Sequence, residues 1–303
     1  MLPSEIIDHV RVSKGSAFKL ADCKPGDTCG LDINKKEAKD LLETGVKRLA
    51  SLQQRLYADN RWAILVILQG IDTAGKDGVI KHVMSGVNPQ GCEVHAFKAP
   101  NENELDHDFL WRTTLALPSR GRIGIFNRSY YEETIVVRVH PQILQKQRLP
   151  EKLITKDIWE QRFEDISNFE RYLAHNGIIT LKFFLNISKE EQLRRLFARI
   201  DDPEKRWKFQ AQDVEERKHW DDYIHAYQET IRHTATKFAP WYVVPADHKW
   251  FSRLVVAAAL VECMENLDLA FPKFDDGNLE ELARIRAELA VQLPPALKAK
   301  APK

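Results

Sequence analysis

The sequence predicts an α/β fold in which five parallel strands form a doubly wound sheet. Five short apolar runs, rich in β-branched residues, are separated by stretches whose apolar residues recur at helical spacing. A glycine-rich segment joins the first run to a helical stretch, which is typical of a phosphate-binding turn. The length of 303 residues allows one large α/β domain or two smaller ones.

The predicted elements alternate along the chain. A helix with apolar residues at helical spacing precedes the first strand, and Gly177 is placed to end the long helix before the fourth strand. The strands are expected at residues 62–68, 93–97, 123–126, 178–185 and 241–245. The main helices are expected at residues 35–59, 79–87, 102–117, 154–176, 189–200, 214–237 and 250–267.

Three regions of the chain differ in character. Residues 1–34 show no clear periodicity and are expected to form an irregular arm. Residues 35–270 contain every predicted strand and form the expected main domain. Residues 271–303 form a tail whose end, from Leu293, is rich in Lys, Ala and Pro and is expected to be loose.

The glycine-rich segment fits the P-loop pattern, in which Gly70 and Gly75 are followed by Lys76. Backbone amides of such a turn bind an anion, and the lysine adds a positive charge for the terminal phosphoryl group. In the pattern, the residue after the lysine is Ser or Thr, which binds Mg²⁺, but this chain has Asp77 there. A carboxylate in an anion cradle needs a cation beside it, so Asp72, with Asp77 as a second candidate, is expected to bind Mg²⁺. The alternative is a turn that binds nothing.

A polar group follows the third predicted strand. P-loop proteins carry a magnesium-binding acid there, whereas this chain has the neutral Asn127, which can still offer a carbonyl oxygen. Arg128 has the forked geometry that pairs well with phosphate. Glu132 and Glu133 are candidates for the charge that Asn127 lacks, or they simply favour a helix amino terminus.

Basic residues concentrate after the fourth predicted strand, where nucleotide kinases carry a lid. A lid is expected at about residues 194–220, and the alternative is a solvated helix face. Arg112 and Arg138 are expected to extend a basic channel. The lid cations are Arg194, Arg195, Arg199, Lys205, Arg206 and Lys208.

Composition excludes several classes of protein. The net charge of +1 gives no electrostatic reason to expect a nucleic acid or membrane partner. The cysteines form no C-x-x-C pair, and the spacing of Cys23 and Cys29 does not suit a zinc site. Scattered thiols and an amino terminus without the apolar core of a signal peptide predict a cytoplasmic protein.

Several blocks of this sequence, in order, resemble the family-2 polyphosphate kinases. They comprise residues 70–78, 88–91, 109–112, 125–131, 207–209, 239–241 and 246–250. The resemblance implies a three-layer α/β/α P-loop kinase fold with a helical lid. It also implies reversible, Mg²⁺-dependent transfer of the terminal phosphoryl group of inorganic polyphosphate to a nucleotide. Mn²⁺ is a further candidate metal.

The resemblance also assigns roles to residues. Asp72 and Lys76 match the family's catalytic residues, and Asn127 and Arg128 are expected to act with them. The expected phosphate-binding residues are Gly70, Thr73, Ala74, Gly75, Asp77, Gly78, Lys81, Arg112 and Arg138.

The block from Asn127 to His140 resembles the class III subgroup, which phosphorylates both AMP and ADP. Adenine nucleotides are therefore the expected acceptors, with guanine nucleotides as further candidates, and a homo-oligomer is expected. One alternative is an ATP-dependent nucleoside monophosphate kinase of the thymidylate-kinase type. Another is a nucleotide switch, which lacks support because residues 246–249 do not form its base-reading motif.

Overall fold

The computed structural model describes residues 4–294, and the predicted loose end beyond Pro294 lies outside the described residues. The described residues form a six-stranded sheet in the order β1-β6-β5-β2-β4-β3. Strands β2 to β6 are parallel, which confirms the five predicted strands. The strands are β1 (Arg11–Val12), β2 (Ala63–Gln69), β3 (Cys92–Ala96), β4 (Ile123–Asn127), β5 (Ile178–Asn186) and β6 (Trp241–Pro245).

Helices from residues 4–269 cover both faces of this sheet. The helices of all the described residues are α1 (Ser4–Val10), α2 (Lys35–Asp59), α3 (Lys76–Val83), α4 (Glu102–Leu105), α5 (Trp111–Thr114), α6 (Val136–Val139), α7 (Ile158–His175), α8 (Lys189–Asp201), α9 (Ala211–Glu216), α10 (Trp220–Thr234), α11 (Lys249–Glu265) and α12 (Asp276–Gln292). No helix among the described residues is long and apolar enough to cross a membrane.

Strand β2 is buried on both faces because its side chains serve two cores in alternation. Ile64 and Val66 belong to a cluster that includes buried residues of α2 and α11. Leu65 and Ile67 belong to a second cluster that includes buried residues of α7 and α10. This arrangement is the predicted three-layer α/β/α fold.

The amino-terminal arm is not wholly irregular, contrary to the sequence expectation. Ile6, Ile7 and Val10 of α1 are buried in the core. The two residues of β1 then pair antiparallel with Trp241 and Tyr242 at the edge of the sheet. A helix and a strand this short have too few residues to show a period, so the sequence pattern misses them.

The prediction of a single helix over residues 102–117 is wrong. The structure has two four-residue helices there, α4 and α5. Asp108 accepts a hydrogen bond from the amide of Leu110 at 2.9 Å. Such side-chain bonds to the backbone compete with the helical pattern, which explains the break.

Residues up to Leu269 form one compact unit, and residues from Ala270 onwards belong to a second. The second unit contains helix α12, within the segment expected as a tail. Its first turn is capped by Asp275, whose side chain accepts a hydrogen bond from the amide of Asn278 at 2.8 Å.

The sheet order determines where a ligand can bind. Strand β2 lies between β5 and β4, because the chain places β3 and β4 on one side of it and then crosses to place β5 and β6 on the other. The carboxyl ends of parallel strands next to such a switch in order form the usual ligand crevice. The loop after β2 and the polar residues after β4 meet there.

Candidate active site

The loop after β2 turns tightly and leads directly into α3. Thr73 and Gly75 have φ angles of 67° and 112°, in the left-handed region. The Thr73 hydroxyl is buried and has no hydrogen-bond partner among the described residues. No described side chain caps α3, so its first amides remain available to an anion.

Gly70 and Gly75 serve this loop in different ways. A Cβ on Gly70 would lie 2.9 Å from Cβ of Ala74 and 3.2 Å from the carbonyl oxygen of Leu185. Gly70 is therefore required by packing behind the loop, and it does not line the cavity described below. Gly75 is required by its backbone angle, which a residue with a Cβ adopts only with strain.

Lys76 is buried beneath the loop. Its Nζ donates a hydrogen bond of 2.6 Å to the carbonyl oxygen of Gly70. Burial, and next the charge of Arg128, lower the pKa of Lys76 to about 8. An anionic ligand would stabilise the charged form of this lysine.

Arg128 joins two carboxylates. Its Nη2 donates to Asp72 at 2.7 Å, and its Nη1 donates to Glu132 at 3.2 Å. The charge of Glu132 is the largest factor that raises the pKa of Arg128. Three of the predicted site residues are thus in direct contact.

Asp77 and Asn127 form the second contact group. Asn127 Nδ2 donates to Asp77 Oδ1 at 2.9 Å, and Lys208 Nζ lies 3.5 Å from Asp77 Oδ2. Burial alone would raise the pKa of Asp77, but the Asn127 hydrogen bond and the Lys208 charge lower it. These two residues occupy the positions at which P-loop proteins hold Mg²⁺. Their hard oxygen atoms, with those of Asp72, suit that ion.

A cavity of about 480 Å³ opens over the phosphate loop, and residues 72–78 all line it. Its lining is strongly basic and draws on several elements of the fold. The basic lining residues are Lys76, Lys98, Arg128, Arg194, Arg195, Arg199, Lys205, Lys208, Lys249 and Arg253, against the acids Asp72 and Asp77. We call this space the cationic cavity.

Arg195 is an anchor of the phosphate loop rather than an exposed lid cation. Its side chain is only 5% exposed and forms an ion pair of 2.7 Å with Glu191. Its guanidinium also donates to the carbonyl oxygens of Thr73 and Ala74, at 3.1 and 2.8 Å. Further bonds reach the carbonyls of Ala246 and Asp247. Arg195 therefore holds the loop after β2 to the loop after β6.

The segment expected as a lid contains the end of α8, a short turn at Arg206–Lys208 and α9. Arg199 pairs with Asp213 at 3.1 Å and lines the cationic cavity. Lys205 pairs with Asp202 and also lines the cavity. Arg206 instead donates to the carbonyl oxygen of Ile200 at 2.7 Å and does not line the cavity.

Lys249 and Arg253 were missed as site residues by sequence reasoning. Both lie in the first turns of α11 and line the cationic cavity. Burial, followed by the charge of Arg195, lowers the pKa of each. The available signal was their position just after the carboxyl end of β6, where ligands are expected.

A second, smaller cavity of about 180 Å³ shares Lys98 and Arg128 with the cationic cavity. Its lining mixes polar groups with apolar and aromatic side chains, and we call it the mixed cavity. Arg112 lines this space, with Nη1 donating to the carbonyl oxygen of Lys98 at 2.7 Å. The apolar and aromatic lining residues are Ala99, Pro100, Leu105, Phe109, Tyr130, Val136, Val137 and Ile143.

The structure does not bring three of the predicted residues to the phosphate loop. Glu133 lines the mixed cavity and is held by Arg162 at 3.0 Å and Gln147 at 2.7 Å. Arg138 lies over the ring of Phe163. Lys81 is exposed in the last turn of α3. Neither Arg138 nor Lys81 lines either cavity.

Comparison with known proteins identifies the family. A profile named polyphosphate kinase 2 matches residues 32–272. The chain belongs to this family. It is 52% identical over 257 residues to an ADP-polyphosphate phosphotransferase of Rhodopseudomonas palustris, covering 84% of this chain and 89% of that protein.

Two further comparisons point to the same family. This polyphosphate kinase 2 chain is 43% identical over 263 residues to an AMP/ADP-polyphosphate phosphotransferase of Meiothermus ruber, covering 87% of this chain and 94% of that protein. The crystal structure of polyphosphate kinase 2 from Arthrobacter aurescens TC1 aligns with a TM-score of 0.84 and 40% identity. That alignment covers 92% of this chain and 96% of the other.

Proposed function

We propose that this protein transfers the terminal phosphoryl group of inorganic polyphosphate to ADP and AMP, reversibly and with Mg²⁺. The observation that carries this proposal is the position of Arg128, which lines both the cationic cavity and the mixed cavity. Direct transfer requires the donor and acceptor phosphates to lie side by side, and the two cavities share Arg128 and Lys98 as lining residues. Arginine there stabilises the charge that develops on the transferred group.

The cationic cavity suits the donor. Successive phosphates of a polyanion need several cations along one path. Basic residues from the phosphate loop, from the lid with the end of α8, and from α11 supply these cations. The net charge of the whole chain is only +1, so this basic lining is local. An ATP donor would also need a surface for its adenine, whereas Phe97 is the one aromatic residue among the described residues that line this cavity.

The mixed cavity suits a nucleoside. Apolar and aromatic walls with a few polar groups are typical of small-molecule sites. Phe109 and Pro100 offer apolar surfaces for the nucleobase. Arg112 and Arg128, which line the same cavity, can bind the phosphate groups of the nucleotide. The acceptor oxygen of a nucleotide phosphate is already ionised, so no strong general base is required.

Mg²⁺ would be held by oxygen atoms of Asp77 and Asn127, with Asp72, which lines the same cavity, as a further ligand. The ion would neutralise charge on the transferred group when bound. Lys76 orients the terminal phosphate, and Arg195 keeps the loop carbonyls of Thr73 and Ala74 turned away from it.

A panel of donors and acceptors tests the proposal. Purified protein is incubated with Mg²⁺, polyphosphate and ADP or AMP, without ATP, and products are separated by chromatography. We expect ATP from ADP, and ADP followed by ATP from AMP. The variant Lys76→Met is the matched control for a contaminating kinase. No product from either acceptor would reject the proposal. Product formed only in a parallel reaction of ATP with AMP, without polyphosphate, would favour the monophosphate-kinase alternative.

The same panel settles finer points. GDP and GMP in place of the adenine nucleotides test base selectivity, and Mn²⁺ in place of Mg²⁺ tests the metal. We also propose a homo-oligomer in the cytoplasm, consistent with the family resemblance. Sedimentation velocity of the purified protein tests its assembly, and cell fractionation tests its location.

A further inference from the structure

Three side chains with metal-binding atoms converge in the amino-terminal region, and none of them lines either cavity. They are His9 on α1, and Asp27 and Cys29 on the loop that follows β1. One ligand atom from each lies within 4.8 Å of the others. We propose that these residues bind a Zn²⁺ ion, with water completing a tetrahedral site.

The carboxylate is already oriented for this role. Its Oδ1 accepts a hydrogen bond of 2.8 Å from the backbone amide of Cys29. Its Oδ2 lies 3.8 Å from Nε2 of His9. The loop amide thus fixes Oδ1 of Asp27, while Oδ2 lies towards the imidazole. Hydrogen bonds of this kind orient the ligands of metal sites.

The thiol is held as well. Cys29 is partly buried and packs against the main hydrophobic core. Its backbone φ angle of 52° fixes the direction in which the side chain leaves the loop. The thiol, the imidazole and the carboxylate each have a ligand atom within 4.8 Å of those of the other two.

Both supporting segments are attached to the sheet or to the loop that follows β6. The carbonyl oxygen of Pro25 accepts a bond of 3.1 Å from the amide of Asp247. The carbonyl oxygen of Cys23 accepts a bond of 2.8 Å from Nδ2 of Asn186. Helix α1 leads into β1, which pairs with β6. Ligands on anchored segments lose little entropy when they bind an ion.

The donor atoms select the metal. Thiolate and imidazole favour Zn²⁺ or Co²⁺, whereas Mg²⁺ prefers oxygen ligands and water. The proposed site is therefore chemically distinct from the magnesium site at the phosphate loop. Cysteine spacing alone did not indicate it, because only one ligand is a cysteine and His9 comes from another element.

Metal titration of the full-length protein tests the inference. Protein freed of metal is kept in excess Mg²⁺ and titrated with Co²⁺, and then with Zn²⁺ against a chromogenic chelator. We expect one Co²⁺ per chain, with tetrahedral d–d bands and a thiolate-to-cobalt charge-transfer band. Zn²⁺ should displace this Co²⁺.

Variants assign the ligands. Cys29→Ser should abolish the charge-transfer band and weaken Zn²⁺ binding by at least about tenfold. His9→Gln should weaken binding by a similar factor while the thiolate band remains at saturating Co²⁺. Cys23→Ser is the matched control, because this thiol lies on the same loop but outside the cluster, and it should bind as the parent does.

Folding of each variant is checked by circular dichroism, and Asp27→Asn provides an independent variant if Cys29→Ser does not fold. Failure of the parent to bind Co²⁺ or Zn²⁺ in excess Mg²⁺ would overturn the inference. Unchanged binding by folded Cys29→Ser, or by folded Asp27→Asn and His9→Gln together, would also overturn it. None of these readouts depends on phosphoryl transfer, so they stand apart from the proposed function.

Discussion

Nη2 of Arg128 lies 2.7 Å from Oδ1 of Asp72, although 56 positions separate the two residues in the sequence. The parallel pairing of β2 with β4, in register at Leu68 and Asn127, brings them together. The pair places one negative and one positive group beside the phosphate loop. A metal ion binds a carboxylate and a phosphate binds a guanidinium. When both ligands bind, we therefore expect Asp72 to turn to the metal ion and Arg128 to the phosphate, and their mutual ion pair to break.

Replacing Asp72 by Asn should lower kcat by about 100-fold or more, because it removes a charged ligand for the metal and frees Arg128 from its partner. The Mg²⁺ concentration that gives half-maximal rate should rise. The measurement is the rate of ATP formation from ADP and polyphosphate across a magnesium series. Glu132→Gln is the comparison, since it also loosens Arg128, and it should change the magnesium requirement less. An Asp72→Asn variant with the parent's magnesium curve would contradict this role.

Lys76→Met should remove at least about 99% of the activity, because the terminal phosphate loses its buried cation. The fold should remain, since methionine fills nearly the same volume. Single-turnover rates and circular dichroism check the two statements. A variant that retained more than about a tenth of the activity would show that Lys76 does not touch the transferred group.

The same variant should reveal the lowered pKa of Lys76. The folded value is about 8, against an ordinary value of 10.5. Between these values the unfolded chain holds a proton that the folded protein lacks, so the parent's unfolding free energy should rise with pH relative to that of Lys76→Met. The relative gain across the window should be about 3 kcal/mol. Urea unfolding of both proteins over this pH range measures it, and parallel curves would contradict the shift.

Arg195→Lys should destabilise the protein by about 2 kcal/mol or more, since an ammonium group cannot serve four carbonyl oxygens at once. It should also lower kcat, because the phosphate loop loses its anchor. Arg194→Lys is the matched control, since the neighbouring side chain is 66% exposed and pairs with the same Glu191. That control should change stability by no more than about 0.5 kcal/mol. Equal effects of the two changes would argue against the anchor.

The two cavities should respond to separate variants. Arg253→Met should raise KM for polyphosphate by about tenfold, the cost of one charge-assisted contact, and leave KM for ADP nearly unchanged. Phe109→Ala should do the reverse, because it removes an aromatic wall of the mixed cavity. Initial rates with each substrate varied in turn give both constants. The opposite pattern would exchange the assignments of donor and acceptor.

Much of the fold is readable in local patterns. The boundaries of α2 and β6 agree with the sequence expectation at both ends, since each carries a clear period or apolar run. The phosphate loop is also predictable from the sequence, because its motif consists of residues close together in the chain, with Gly75 directly before Lys76. Helices α4 and α5 were not predicted as separate, because competing side-chain bonds override a weak period there.

The sequence by itself determined the parallel α/β sheet, the phosphate loop and the family resemblance, because each depends on residues close together in the chain. Only the tertiary structure decided which charged groups meet. It buried Arg195 beneath the loop, paired Arg128 with Asp72, and brought Arg253 from α11 into the cationic cavity. Such contacts depend on strand order and helix packing, which no local pattern records.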